Sequence, residues 1–398
     1  MENPNLFNPI DFFNIRQTVA ILKYGSTLRS VDACNKRMHD FIVVVNNDSK
    51  DALLKWHKEL FRIYSNHYSK ISRFLGISFI VRLQKYSKYN PIYYNSCIPT
   101  INNKVLKYGV ISKDDLMNSL DNWSSLFISQ RLQKTICPIW DVGVEKLKVE
   151  INKKLENNRR QALILSLLSL SGNDNIKCSI DESNSNEQED IKVITLYDLL
   201  KEIVTLTYKG DVRFILKMRR KVLTQTCEKE LCDSLPFLVS YYLPLMLEYI
   251  KENNDIISIY DKNNSVNINN IVFLSKLLHN KLESCINNDP LSGMNDEIVN
   301  SFEWNLFYKL FFENKVKFTL PFEFKIKANG IANKITFIEF IKKSAIPSKF
   351  NNHSKELIYY PWSPEIIAKT IKRLNFICSS IGILNNSISN FGNIVSFF

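Results

Sequence analysis

The chain has 398 residues, enough for more than one folded unit. Its 45% hydrophobic and 23% charged residues are ordinary for a globular protein and exclude a wholly disordered chain. A formal net charge of +12 favours a phosphate-bearing partner, whether nucleotide, nucleic acid or anionic lipid surface, without choosing among them.

The N-terminal stretch carries Glu2 and Asp11 and has no Arg before Arg16. It fits neither a secretory signal nor an Arg-rich transit peptide. Ala20–Lys23 reads as a strand running into a Tyr24-Gly25-Ser26 turn, and Asp40–Val45 is a β-branched run of strong strand character. Residues 51–70 space Leu53, Leu54, Leu60, Ile63 and Tyr64 as a helix does, and Phe79–Leu83 reads as a further strand. Ile92–Ile98 and Lys104–Ile111 form two strands around an Asn102-Asn103 turn. Ser112 caps a helix with Asp115 at its third position, and a second helical pattern runs from Trp123 to Gln133. The fold class is therefore α+β with a mixed or antiparallel sheet, residues 1–140 forming its first domain.

From residue 141 the pattern turns helical. Val142–Leu170 keeps a helical period, and Thr195-Leu-Tyr-Asp198 is a capping box opening another helix. Residues 172–192 are polar and acidic and 251–270 Asn-rich, and both read as disordered insertions within a second domain, 141–350. Phe237–Leu247 is the most apolar run, too short for a membrane span and broken by Pro244. Residues 360–398 hold an amphipathic helix, with Ile367, Ile371, Leu374, Cys378 and Ile381 on one stripe and Lys369, Lys372 and Arg373 near its start. Such a helix suits either the protein's own core or a membrane interface. The eight cysteines match no zinc or disulfide spacing and read as buried thiols in a reducing compartment.

The chemistry begins at Gly25-Ser26. A glycine there lets backbone approach a phosphate, and the serine adds a hydroxyl donor. Asp40, fourteen residues after Ser26, opens an apolar strand, where a carboxylate suits Mg²⁺ held against a triphosphate. The order Gly-Ser then acidic strand resembles the polymerase-β-like nucleotidyltransferases. Those usually carry a second carboxylate two residues on, where this chain has Ile42. Asp32, Asp48 and Asp211 are candidates for the missing ligand.

Further elements follow in order: Trp56-His57, His67-Tyr68-Ser69, Tyr93-Tyr94-Asn95, Lys107-Tyr108-Gly109-Val110-Ile111-Ser112, Arg131 with Lys134, and Gly210-Asp211-Val212-Arg213. Taken together over residues 20–245 they resemble the mitochondrial translocator assembly and maintenance family, whose members are phosphatidate cytidylyltransferases. Thr27 departs from that family, which usually has a second glycine there.

The resemblance implies an N-terminal polymerase-β-like nucleotidyltransferase domain followed by a helical, winged-helix-like domain. It also implies Mg²⁺ dependence, CTP and phosphatidate as substrates, and a peripheral position on the matrix face of the mitochondrial inner membrane, in phospholipid (cardiolipin) synthesis. An anionic membrane surface is then a partner, and nucleic acid is not expected. On this reading Gly25 and Ser26 hold the nucleotide phosphates and Asp40 holds the metal. Lys107, Arg131 and Lys134 surround the phosphates, and His67 and Asn95 orient base, ribose or phosphate. Asp211 and Arg213 either contribute from the second domain or form a structural ion pair. His57 is read as structural.

Two rival readings stay open on the residues alone. A nucleotidyltransferase acting on nucleic acid would use the same Gly-Ser and Asp elements, but should show aromatic single-strand platforms. A non-catalytic membrane assembly factor would fit Thr27 and Ile42.

Overall fold

The computed structural model describes residues 12–13, 15–25, 28, 38–49, 51–86, 91–99, 105–123, 126–134, 136–140, 145–171, 191–208, 220–261, 268–288, 301, 304–305 and 322–327. Ser26, Thr27, Asp32, Asp211, Arg213 and the amphipathic segment 360–398 lie outside them. The described part is α+β and separates into two compact units, the first holding residues up to Asn158 and a short return at 285–288, the second the rest.

The first unit is built on a mixed five-stranded sheet of order β3-β4-β2-β1-β5. Its strands are β1 (Thr18–Tyr24), β2 (His39–Val45), β3 (Tyr93–Pro99), β4 (Val105–Ser112) and β5 (Ile136–Trp140). β2 and β4 run parallel, and the other neighbours antiparallel. β2 is the central strand, with Phe41 to Val45 buried on both faces. This is why its sequence is a continuous apolar run rather than an alternation. β5 was not legible in the sequence. It is a short strand containing Pro138, a residue tolerated at the sheet edge it occupies.

One face of the sheet is covered by α1 (Ala52–Ile63) and α3 (Ile77–Tyr86), with α2 (Lys70–Leu75) between them in the chain and joined to β3 by a Ser72–Tyr93 hydrogen bond. α1 buries Leu53, Trp56, His57 and Leu60, the i, i+3, i+4, i+7 stripe that drives an amphipathic helix onto a core. Trp56 also donates its indole N–H to Thr18 Oγ1 at 2.9 Å, pinning α1 to the start of β1. The expected strand at Phe79–Leu83 is instead part of α3. The physical reason is spacing: Ile77, Ile80, Val81 and Gln84 are the buried positions, a helical stripe that outweighs the strand propensity of isoleucine, valine and phenylalanine.

α4 (Lys113–Asn122) and α5 (Leu126–Leu132) follow β4. Ser112 caps α4 as expected, its Oγ accepting from the Asp115 N–H at 3.2 Å and its hydroxyl donating to the Asp115 carboxylate. α6 (Glu145–Ser171) follows β5, its first half tied to α4 by a Lys154–Asp121 ion pair of 2.7 Å.

The second unit holds β6 (Ile191–Ile194), β7 (Ile257–Asp261) and β8 (Phe322–Lys327) in a three-stranded sheet of order β6-β8-β7. With it go α7 (Leu196–Leu206) and α8 (Arg220–Glu252). α9 (Ile268–Asn288) follows β7 in the chain. The Thr195–Asp198 capping box is complete, each side chain bonding the other's backbone N–H. Strand β7 lies inside 251–270, where the sequence suggested an insertion, and β6 takes Ile191 and Lys192 from the other suggested insertion. Both are short β-strands next to polar stretches, acidic before β6 and Asn-rich around β7, and only their pairing to β8 identifies them. Cys137 and Cys227 are buried free thiols, whereas Cys232 is exposed on α8, its helical position facing solvent. Among the described residues no helix is long and apolar enough to cross a membrane.

Candidate functional site

The register of the first sheet lines up Ile136, Tyr24, Asp40 and Lys107 as one row across β5, β1, β2 and β4. Residues paired across neighbouring strands project to the same face. Asp40 and Lys107 therefore stand side by side, with Lys107 Nζ 3.6 Å from Asp40 Oδ1. Both side chains keep solvent access, 23% for Lys107 and 19% for Asp40, so they form a reachable charged pair rather than a sealed one.

Gly25 ends β1 beside this pair with a φ of +89°, a conformation that side chains resist. A Cβ placed there would stand 2.8 Å from Asp40 Oδ2. Glycine is needed twice over, for the turn and for the space next to the carboxylate.

Beneath Lys107 lies the ring of Tyr94, 5.0 Å from Nζ, in cation–π geometry. The Tyr94 ring runs across Gly109, where a Cβ would come within 2.7 Å of it. The Tyr24 hydroxyl lies 3.4 Å from the Tyr94 hydroxyl. Burial pushes the Tyr24 phenol well above its usual range, with the Tyr94 and Asp40 charges adding to it and Arg131 opposing. Tyr94 is raised chiefly by burial, again with Arg131 opposing. Both phenols are thus neutral at physiological pH, Tyr24 donating to Tyr94, and Arg131 near the end of α5 carries its positive charge toward them. Lys134 lies two residues before Ile136, the residue that pairs with Tyr24, so it enters at the same end of the sheet. Tyr24 and Tyr94 belong to separate sequence motifs seventy residues apart, and only the sheet brings them together.

His67 and Asn95 are placed elsewhere. Tyr108 follows Lys107 on β4 and so projects to the opposite face, where Asn95 is its strand partner. Asn95 donates to the Tyr108 hydroxyl at 2.9 Å, and His67 Nδ1 lies 2.9 Å from the same oxygen. Both are buried, and His67 is stacked against Tyr64 at 4.8 Å.

The neighbouring motif residues join the same core. His57 Nδ1 meets the Tyr68 hydroxyl at 2.8 Å, and His57 Nε2 meets Gln84 Oε1 at 3.0 Å. Gln84 spends its amide hydrogens on the carbonyls of Val110 and Pro91, so its oxygen must accept, and His57 carries its proton on Nε2. Tyr93 reaches Ser72, which bonds the α2 cap Ser69. Burial lowers both His57 and His67 to about 4, leaving the two rings neutral. Tyr93 and Tyr94 point to opposite faces, yet both are buried.

Of the candidates for a second carboxylate, Asp48 lies beyond the far end of β2 from Asp40, bonded to Asn46 at 2.7 Å. Ile42, on the Asp40 face, is fully buried and leaves no ligand there. Among the described residues no three His, Cys, Asp or Glu side chains gather to hold a metal. Asp40, with the space Gly25 leaves beside its Oδ2, would offer a single carboxylate ligand to a divalent cation.

Residues 9–183 match a family described as phosphatidate cytidylyltransferase, mitochondrial. The resemblance carried by the motifs is thereby borne out. A protein named phosphatidate cytidylyltransferase, mitochondrial, from Schizosaccharomyces pombe is 30% identical over 247 residues, 61% of this chain and 53% of that protein. One of the same name from Homo sapiens is 32% identical over 180 residues, 45% of this chain and 32% of its own length. One from Caenorhabditis briggsae is 31% identical over 225 residues, covering 56% of this chain and 59% of that one. The chain thus spans a third to three-fifths of the lengths of these relatives.

Proposed function

We propose, proceeding from the match of residues 9–183 to the mitochondrial phosphatidate cytidylyltransferases, that this chain catalyses CTP + phosphatidate → CDP-diacylglycerol + pyrophosphate. The observation that carries the reading is the Asp40–Lys107 pair at the open end of the sheet, beside the positive-φ Gly25.

A phosphate oxygen of phosphatidate attacks the α-phosphorus of CTP. The bond from that phosphorus to the bridging oxygen breaks, and pyrophosphate leaves with the electron pair. The nucleophile is already anionic near neutral pH, so the site needs no strong general base. The work is positioning and charge neutralisation. Mg²⁺, when held by Asp40, would supply positive charge for the triphosphate. Gly25 and Ser26 accommodate the triphosphate at the end of β1. Lys107, Arg131 and Lys134 supply cations around the two phosphate-bearing substrates, with Tyr94 setting the direction of Lys107. His67 and Asn95 act through Tyr108 by fixing β4, the strand that carries Lys107. The place of action is the matrix face of the mitochondrial inner membrane, held peripherally, in phospholipid synthesis.

The test is formation of CDP-diacylglycerol from labelled CTP, Mg²⁺ and phosphatidate in mixed micelles, by the chain and by Asp40→Asn. Product from the unaltered chain and a loss of about 10²-fold or more in the variant are expected. A folded chain giving no product across nucleotides and divalent metals would overturn the reading in favour of a non-catalytic membrane factor.

A further inference from the structure

Two short helices on the outer side of the first unit meet at a corner where Gly76 takes a φ of +82°. A Cβ at Gly76 would meet nothing within 4 Å, so the corner projects into open space. Large apolar side chains flank it. Phe74 is 90% exposed, Phe79 42% and Leu75 40%. An isolated exposed leucine needs no explanation, but two phenylalanines and a leucine within six residues do.

Charge says what covers them. Residues 70–86 contain four Lys or Arg and no Asp or Glu. Lys70, Arg73 and Arg82 are all exposed around the corner. The fourth, Lys85, faces Asp115. A self-complementary contact between two copies would bring these cations against one another, which disfavours a second copy as the occupant. Apolar rings that protrude among cations, on a corner with no carboxylate, match an anionic phospholipid surface: the rings enter the headgroup–acyl boundary and the cations meet phosphates.

We propose that the α2–α3 corner, through Phe74, Leu75 and Phe79 with Lys70, Arg73 and Arg82, docks on an anionic lipid bilayer. The inference extends the reading of a chain that works on a lipid substrate. Its test contains no nucleotide and reads no turnover, so its failure leaves the cytidylyltransferase reading standing.

The full chain is mixed with phosphatidylcholine vesicles, with and without phosphatidylglycerol, and bound protein is measured by co-sedimentation. Phe74→Ser and the pair Arg73→Gln/Arg82→Gln are compared, with circular dichroism confirming that each is folded. Phe74 is nearly free in solvent, so its replacement leaves the core intact. Binding to anionic but not neutral vesicles is expected. Partitioning should fall about fivefold or more for Phe74→Ser and about tenfold or more for the arginine pair at low salt. Added salt should erase the difference between the arginine pair and the unaltered chain. Variants within about twofold of the unaltered chain would overturn the proposal. So would equal binding to neutral vesicles, or no vesicle binding together with capture of an acidic protein by this corner.

Discussion

Lys107 Nζ lies 3.6 Å from Asp40 Oδ1 because two parallel strands place residues 67 positions apart in one register row. On the proposed function, the cation thus stands beside the carboxylate that would hold the metal. Removing either charge damages a different step. Lys107→Met is expected to lower kcat/KM by about 10²-fold, as loss of one phosphate-neutralising cation does at comparable sites. Steady-state rates against CTP check this, and a variant within about threefold of the parent would remove Lys107 from the site.

Tyr94 is expected to act through Lys107. Tyr94→Phe keeps the ring beneath the ammonium and loses the hydroxyl that meets Tyr24, so most activity should remain. Tyr94→Leu removes the ring face, worth about 0.5–2 kcal/mol in directing a cation, and should raise KM for CTP more than it lowers kcat. Equal behaviour of the two variants would show that the ring positions nothing.

Gly25→Ala tests geometry alone. The left-handed φ costs about 1 kcal/mol for a residue with a Cβ, and the new methyl would stand 2.8 Å from Asp40 Oδ2. The melting temperature should fall by a few degrees only, while CDP-diacylglycerol formation should drop at least about tenfold as Asp40 is pushed aside. A large loss of stability with normal specific activity in the folded fraction would contradict the placement of Gly25.

Stability should fall in mild acid. His57 and His67 are held near 4 by burial, below the usual histidine value of 6.5. Their folded values are lowered, so the unfolded chain binds protons first as pH drops. Their contribution is complete above about pH 6.5, declines through the interval down to about 4, and does not change further below it. Each depression corresponds to about 3 kcal/mol at most, less for His67, which stands partly outside the deepest burial. Urea midpoints at pH 7.5 and 5 measure it. A chain whose midpoint is the same at both would show that the two rings are not buried neutral.

Local signals in the sequence carried much of the fold. The apolar run of β2 marks a strand buried on both faces, and the serine and threonine caps at Ser112 and Thr195 mark two helix starts, because each depends on residues within a few positions. The α3 segment misled because its isoleucines and valine favour strands one by one, while their spacing is helical. β5 and β7 escaped because short strands are defined by partners far away in the chain.

The same division runs through the site. The sequence by itself determined the ingredients: a glycine turn, a carboxylate opening a strand, a lysine on a later strand, and a set of His, Tyr, Ser and Asn motifs in a recognisable order. Only the tertiary structure decided which of them meet. Strand alternation sends Lys107 to the Asp40 face and Tyr108 to the other, so His67 and Asn95 gather on Tyr108 inside the core while Tyr94 passes under the lysine. A one-residue change of register would exchange these two sets, because successive side chains on a strand point to opposite faces and nothing within either strand alone fixes its alignment with the other.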